Sequence, residues 1–173
     1  DGDFFENPAL TGAIEAAKAS GGKVHFIGLC SDGGVHSHLT HLYALLEMMK
    51  RGGMADRAFV HCLMDGRDVP PSSGKDYILQ LENEMARIGC GKIASVAGRY
   101  WSMGRDKRWE RVLKGYDALM GVGLTAISAA EAMQKSYDND VTDEFVKPTV
   151  VVKGGKPVAT VEAGDSIIFY NFR

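Results

Sequence analysis

The apolar positions of this chain fall into short runs set between amphipathic stretches, and the two kinds of segment alternate. Three runs have strand length: Lys23 to Leu29, Ala58 to Met64 and Lys92 to Ala97. Each leads through a loop into a helix-like segment. The first runs from about Ser37 to Arg51 and the second from Ser72 or Ser73, either able to cap it, to about Gly89. The third follows the long loop Gly98 to Arg105 and extends to about Met120. Upstream, Asn7-Pro8 offers an N-cap with proline at the first helical position, and the Ala-rich stretch to Ser20 closes on Gly21-Gly22. Gly52-Gly53 stops the next helix in the same way. Strands alternating with helices of this length predict right-handed βαβ units in a mainly parallel sheet.

The tail changes character. A shorter helix is expected from about Ser128 to Tyr137. Thr149 to Val152, the turn Lys153-Gly154-Gly155-Lys156 and Pro157 to Val161 then read as a β-hairpin, and Ser166 to Phe172 as a last strand. The expected fold is α/β, a three-layer α/β/α sandwich with a mainly parallel sheet and a C-terminal β-hairpin. At 173 residues it forms a single domain, 1–173.

Composition narrows the function classes. With 45% hydrophobic and 24% charged residues the chain has the make-up of a soluble globular protein. A formal charge of −2 and a pI near 6.2 argue against nucleic acid or an anionic membrane as the main partner. The apolar runs fall far short of the roughly 20 residues a membrane helix needs, and no secretory signal is visible. Cys30, Cys62 and Cys90 are an odd number without metal-type spacing, and two sit in strand-like runs. Reduced structural thiols and a cytoplasmic location are expected. The chain starts at Asp1 and stops at Arg173 directly after an apolar strand, so both ends read as cuts in a longer chain.

In an open parallel α/β sheet, ligands bind where the strand-to-helix loops leave the carboxyl ends of the strands. Three such loops are rich in polar groups. The first carries Asp32, Gly33, Gly34 and His36, the second Arg67 and Asp68, the third Arg99, Tyr100, Arg105 and Asp106. Arg173 joins the same edge if the final strand runs with its neighbours. Guanidinium forks suit phosphate and carboxylate, and helix N-termini favour anions. Together Arg67, Arg99, Arg105 and Arg173 suit a phosphorylated carboxylic acid. The competing expectation is that these arginines only pair with Asp32, Asp68, Asp106 and other acids at the surface.

Other patterns carry less. His36, His38 and His41 resemble the first metal motif of the metallo-β-lactamase fold, but Thr40 stands where an Asp is wanted and only His61 remains downstream. No metal site is expected in this chain. Asp65 follows an apolar strand, as does the nucleophile of haloacid-dehalogenase-type phosphatases, but position 67 is Arg rather than the second Asp. Met48, Met49, Met85 and Met133 read as packing. Trp101 and Trp109 are candidates for lining the site or for structure.

Several of these motifs together resemble one family. Ser31-Asp32-Gly33-Gly34-Val35-His36-Ser37-His38, Asp65-Gly66-Arg67-Asp68-Val69-Pro70-Pro71 and Gly98-Arg99-Tyr100 stand in its order. So do Met103-Gly104-Arg105-Asp106, Arg108-Trp109, Thr142-Asp143-Glu144-Phe145 with Pro148, and Asn171-Phe172-Arg173. The family is cofactor-independent phosphoglycerate mutase, and the part resembled is its substrate-binding domain. The resemblance implies interconversion of 3-phosphoglycerate and 2-phosphoglycerate in glycolysis and gluconeogenesis. It also implies an alkaline-phosphatase-like second domain, in cis, bearing a serine that takes up the phosphoryl group and two manganese ions. Carried over by motif, His36, Arg67, Asp68, Arg99, Arg105 and Arg173 contact substrate, and Asp68 is the general acid/base. No segment here resembles the serine or metal motifs, so the chain alone is expected to be inactive, a monomer and free of cofactor. The alternative from another class is a free-standing binding module for a phosphorylated metabolite.

Overall fold

The computed structural model describes residues 8–31, 39–67, 70–102 and 109–170, with the backbone alone for 102 and 109–113. Helix α1 (Pro8–Ser20) precedes strand β1 (Val24–Leu29), followed by α2 (Leu39–Arg51), β2 (Ala58–Met64), α3 (Gly74–Ile88) and β3 (Lys92–Gly98). A single turn, α4 (Arg99–Ser102), leads to α5 (Trp109–Leu119), β4 (Leu124–Ala126) and α6 (Ala129–Asp138). The 3₁₀ turn Asp143–Phe145 precedes β5 (Thr149–Lys153), β6 (Lys156–Pro157) and β7 (Ser166–Phe169).

The strands form one sheet in the order β4-β5-β3-β2-β1-β7, with β6 hairpinned onto β5. β7, β1, β2 and β3 run parallel, as the alternating pattern predicts. β5 is antiparallel to β3, and β4 runs with β5. The carboxyl ends of β1, β2, β3 and β7 therefore share an edge with the amino ends of β4 and β5. Every residue of β1 and β2 is buried, which explains why their sequences are apolar runs rather than alternations.

On one face Phe26, Val60, Cys62 and Val96 pack under α1, α2, α3 and α6, whose contributions include Leu45, Leu81 and Met133. The other face is covered more thinly. Leu119 of α5 lies on Ile27, Leu29, Leu63 and Ala97, and Ala159 of the chain after β6 covers Phe59 and Ala94. The three expected layers are present, but among the described residues the second helical layer is one helix and an extended segment.

Three local features differ from the sequence reading. β4 was not foreseen because it has three residues, two of them exposed, too few to show a period. The second arm of the hairpin stops at Pro157 instead of Val161. Val158 N still donates to Val151 O (2.9 Å), but the chain then crosses the sheet face to bury Ala159, and Val161 N bonds Leu119 O (3.1 Å). At the start of α3 Ser73 makes no capping bond, its hydroxyl donating instead to Pro70 O at 2.7 Å. The free helical N–H groups are met from a distant segment: Gly74 N donates to Asp143 Oδ2 (2.6 Å) and Lys75 N to Tyr137 OH (3.3 Å).

The three cysteines are buried free thiols, and burial pushes Cys90 up to about 11.

A line of polar side chains crosses the sheet beneath the thinly covered face. Asp165 Oδ2 meets His25 Nε2 at 2.7 Å, His25 Nδ1 meets His61 Nε2 at 2.8 Å, and His61 Nδ1 meets Ser95 Oγ at 2.7 Å. A carboxylate only accepts, so the tautomers follow in sequence. His25 donates from Nε2 to Asp165, His61 donates from Nε2 to His25 Nδ1, and the Ser95 hydroxyl donates to His61 Nδ1. Every site in the line is used with both rings neutral. Burial accordingly draws His61 down to about 3 and lowers His25, the latter against the opposing pull of Asp165.

Both histidines are depressed in the folded state, so their neutral forms contribute stability above the unfolded value of 6.5 that is lost as the pH falls toward 3. Burial pushes Asp165 up, but hydrogen bonds from Lys23 N, His25 and Glu162 N outweigh it and hold the carboxyl below its ordinary 3.8, adding to the same loss only at the acid end. The thermal midpoint should fall steadily from pH 6.5 to 4 in the wild type and fall less steeply in His61→Gln. Equal slopes would place the acid sensitivity in other groups.

Candidate active-site edge

The carboxyl edge of the sheet is where the loops rich in arginine emerge, and its described part is built on three adjacent strand ends. Leu29 pairs with Leu63 and Met64 with Gly98, so β1, β2 and β3 finish level. Ser31, Asp65 and Arg99 follow those ends, spaced 34 residues apart along the chain.

Asp65 stands in the middle and is only 2% exposed. Its Oδ1 accepts from Arg99 Nη1 at 3.0 Å and from Arg67 N at 3.1 Å, and its Oδ2 accepts from Ser31 Oγ at 3.0 Å. A carboxylate stripped of water at this depth is tolerated only with such partners. The nucleophile resemblance weighed for Asp65 does not suit this setting, since both oxygens are engaged as acceptors.

The second strap on this edge is the turn Asp143–Phe145. Gly66 and Gly98 let it approach: a methyl group on Gly98 would overlap the Glu144 carbonyl, and one on Gly66 would lie 2.7 Å from Glu144 N. Gly66 also sits at φ 68°, a left-handed conformation that favours glycine. Gly98 N donates to Val146 O at 2.7 Å. Asp143 is buried, accepting from Tyr137 OH and from the amino end of α3. Burial raises its carboxyl above the usual value despite those bonds, and raises the Tyr137 hydroxyl. Trp101 Nε1 donates to Phe145 O at 3.1 Å, and Tyr100 lies against the Phe145 ring, centroids 5.1 Å apart. Trp101 thus ties α4 to the turn.

Two of the expected substrate contacts are described, and they differ sharply. The Arg99 side chain is 12% exposed and held by Asp65, whereas that of Arg67 is 62% exposed and only 3.6 Å from Glu144 Oε2. Each has an acid beside it, Asp65 or Glu144, which are among the other acids that the sequence reading set alongside Asp32, Asp68 and Asp106. His36, Asp68 and Arg105 lie outside the described residues, as do His38, Asp32 and Asp106. β7 runs parallel to β1, and Arg173 itself is not among the described residues. Sequence reasoning missed the roles of Ser31, Asp143, Glu144 and Tyr137. The equal spacing of Ser31, Asp65 and Arg99 behind three like strands was the available signal for the first.

Among the described residues no group of three or more His, Cys, Asp or Glu is placed to hold a metal ion, and no helix is long and apolar enough to cross a membrane.

Comparison with known proteins agrees with this architecture. The chain is 53% identical to the 2,3-bisphosphoglycerate-independent phosphoglycerate mutase of Moorella thermoacetica and 56% identical to that of Acetivibrio thermocellus. In each case all of this chain is matched, and it spans about a third, 34%, of the relative's length. A crystal structure of Leishmania mexicana phosphoglycerate mutase at low cobalt concentration superposes with a TM-score of 0.92 at 36% identity. That match covers 98% of this chain and 33% of the other. The family model described as the N-terminus of BPG-independent PGAM matches residues 1–173, and to that family the chain belongs.

Proposed function

We propose that residues 1–173 are the substrate-holding domain of a 2,3-bisphosphoglycerate-independent phosphoglycerate mutase, an isomerase that interconverts 3-phosphoglycerate and 2-phosphoglycerate. The observation that carries this is the match of the whole chain, at over half identity, to mutases three times its length. The buried Arg99 at the carboxyl edge of the sheet supports it, because a held guanidinium suits a ligand bearing phosphate and carboxylate. His36, Arg67, Asp68, Arg99, Arg105 and Arg173 are the proposed substrate contacts.

The rest of the parent protein supplies an alkaline-phosphatase-like domain in cis, with the serine that carries the phosphoryl group. Among the described residues no group is placed to hold a metal ion; the two manganese ions of the family are proposed for that other domain, and no step here runs through them. This domain keeps the glycerate while the serine holds the phosphoryl group. The glycerate can then turn and present its other hydroxyl. Asp68 takes the proton from the accepting hydroxyl and returns one to the leaving alkoxide. The buried free thiols accord with a cytoplasmic protein, and a monomer is proposed.

Asp68→Asn keeps size and some hydrogen bonding but moves no proton. In the full-length protein it should bind phosphoglycerate nearly normally while mutase turnover falls by at least about two orders of magnitude. Turnover within a few-fold of wild type would remove Asp68 from the chemistry, and a parallel collapse of binding would make it a clamp on its loop.

The two described arginines should also differ. By calorimetry Arg99→Ala should weaken phosphoglycerate binding about ten-fold or more, the worth of a charge-assisted contact, and Arg67→Ala should cost distinctly less. The reverse order would mean that the exposed guanidinium closes onto the ligand and becomes the principal contact.

A further inference from the structure

Asp65 carries no role in the chemistry described above, yet it is buried at the site edge, only 2% exposed. It touches the products of three separate strand ends: the Ser31 hydroxyl after β1, the Arg67 amide in its own loop, and the Arg99 guanidinium after β3. We propose that Asp65 is a positioning residue that aims Arg99 at the phosphorylated acid, with Ser31 fixing the carboxylate from behind. This rests on Arg99 being a substrate contact.

An arginine has four rotatable bonds, and a long side chain left loose loses binding strength to its own freedom. One Nη1–Oδ1 bond at 3.0 Å to a carboxylate that is itself held by a hydroxyl and an amide removes much of that freedom before ligand arrives. Asp65 bonds the Arg99 fork through a single nitrogen, Nη1. A guanidinium has five N–H donors, so this bond uses only a part of the fork.

Positioning and plain electrostatics predict opposite signs. Removing a negative charge from beside an anion site strengthens anion binding if nothing else changes. If Asp65 aims Arg99, its replacement weakens binding instead. Asp65→Asn is close to isosteric: its amide oxygen still accepts from Arg67 N, its NH₂ group donates to Ser31 Oγ, and Arg99 Nη1 keeps only a neutral acceptor in place of a charge-assisted one, so the hold on the guanidinium is loosened.

The experiment is calorimetry of 3-phosphoglycerate binding to the full-length protein in a double-mutant cycle, with thermal midpoints recorded alongside. Asp65→Asn is expected to bind several-fold to about ten-fold more weakly. In an Arg99→Ala background the same change should have no further effect, because there is nothing left to aim. Equal or tighter binding by Asp65→Asn overturns the proposal, as does a loss that multiplies with that of Arg99→Ala. If Arg99→Ala alone leaves affinity unchanged, the site assignment itself fails, and the aim of Arg99 with it. Arg99→Ala leaves Asp65 without its cation and risks misfolding, so Ser31→Ala provides a second route. It should weaken binding a few-fold in the wild type and not at all in Asp65→Asn, and a loss that persists in Asp65→Asn overturns the proposal.

Discussion

With β1, β2 and β3 parallel and covered on both faces, the sheet leaves few environments for polar side chains. They sit at the strand ends, where loops and water meet, or inside it with every donor and acceptor matched. Nearly all the polar organisation of the molecule follows from that constraint. At the carboxyl edge Asp65 gathers Ser31, Arg67 N and Arg99. Within the sheet, Asp165, His25, His61 and Ser95 form a line with one proton for each gap. Both arrangements hang on a carboxylate whose cost of burial is offset by several donors.

The two networks serve different ends of the same strands. The line of histidines joins β1, β2 and β3 to the residue just before β7, with both rings neutral. Among the described residues, the layer that covers these strands on that face is a single helix and an extended segment. The Asp65 group ties β1, β2 and β3 again beyond their carboxyl ends, four residues further on along β2 and β3 and six along β1. Arg99 follows Ser95 on β3 and Asp65 follows His61 on β2 by the same step, so the order inside the sheet is carried out to the site edge.

The Asp143–Phe145 turn is the third element of that edge. It approaches because Gly66 and Gly98 present no side chain, it caps α3 through Asp143, and it receives Trp101 on Phe145 O. A residue 69 positions after Gly74 thus sets the start of that helix, and its turn walls the loops after β2 and β3. Proximity of this kind fixes the geometry of a site better than the loops themselves would.

The pattern of apolar runs determined the βαβ core by itself, since burial on both faces demands strands like β1 and β2 and the glycine and proline signals bound the helices. Motif order was also enough to point to the family, and it is the source of the proposed contacts His36, Arg67, Asp68, Arg99, Arg105 and Arg173. The sequence did not reveal β4, which is too short to carry a period, nor the early end of the hairpin, which Ala159 decides by burying itself on the sheet. It suggested Ser73 as the cap of α3, a local solution, whereas the tertiary structure uses Asp143 and Tyr137. It presented Arg67 and Arg99 as equals. Only the fold separates them, because level strand ends put Asp65 beside Arg99 and leave Arg67 in water. Periodicity and motifs are properties of neighbours along the chain, but the partner of a buried charge is chosen by which strands lie side by side.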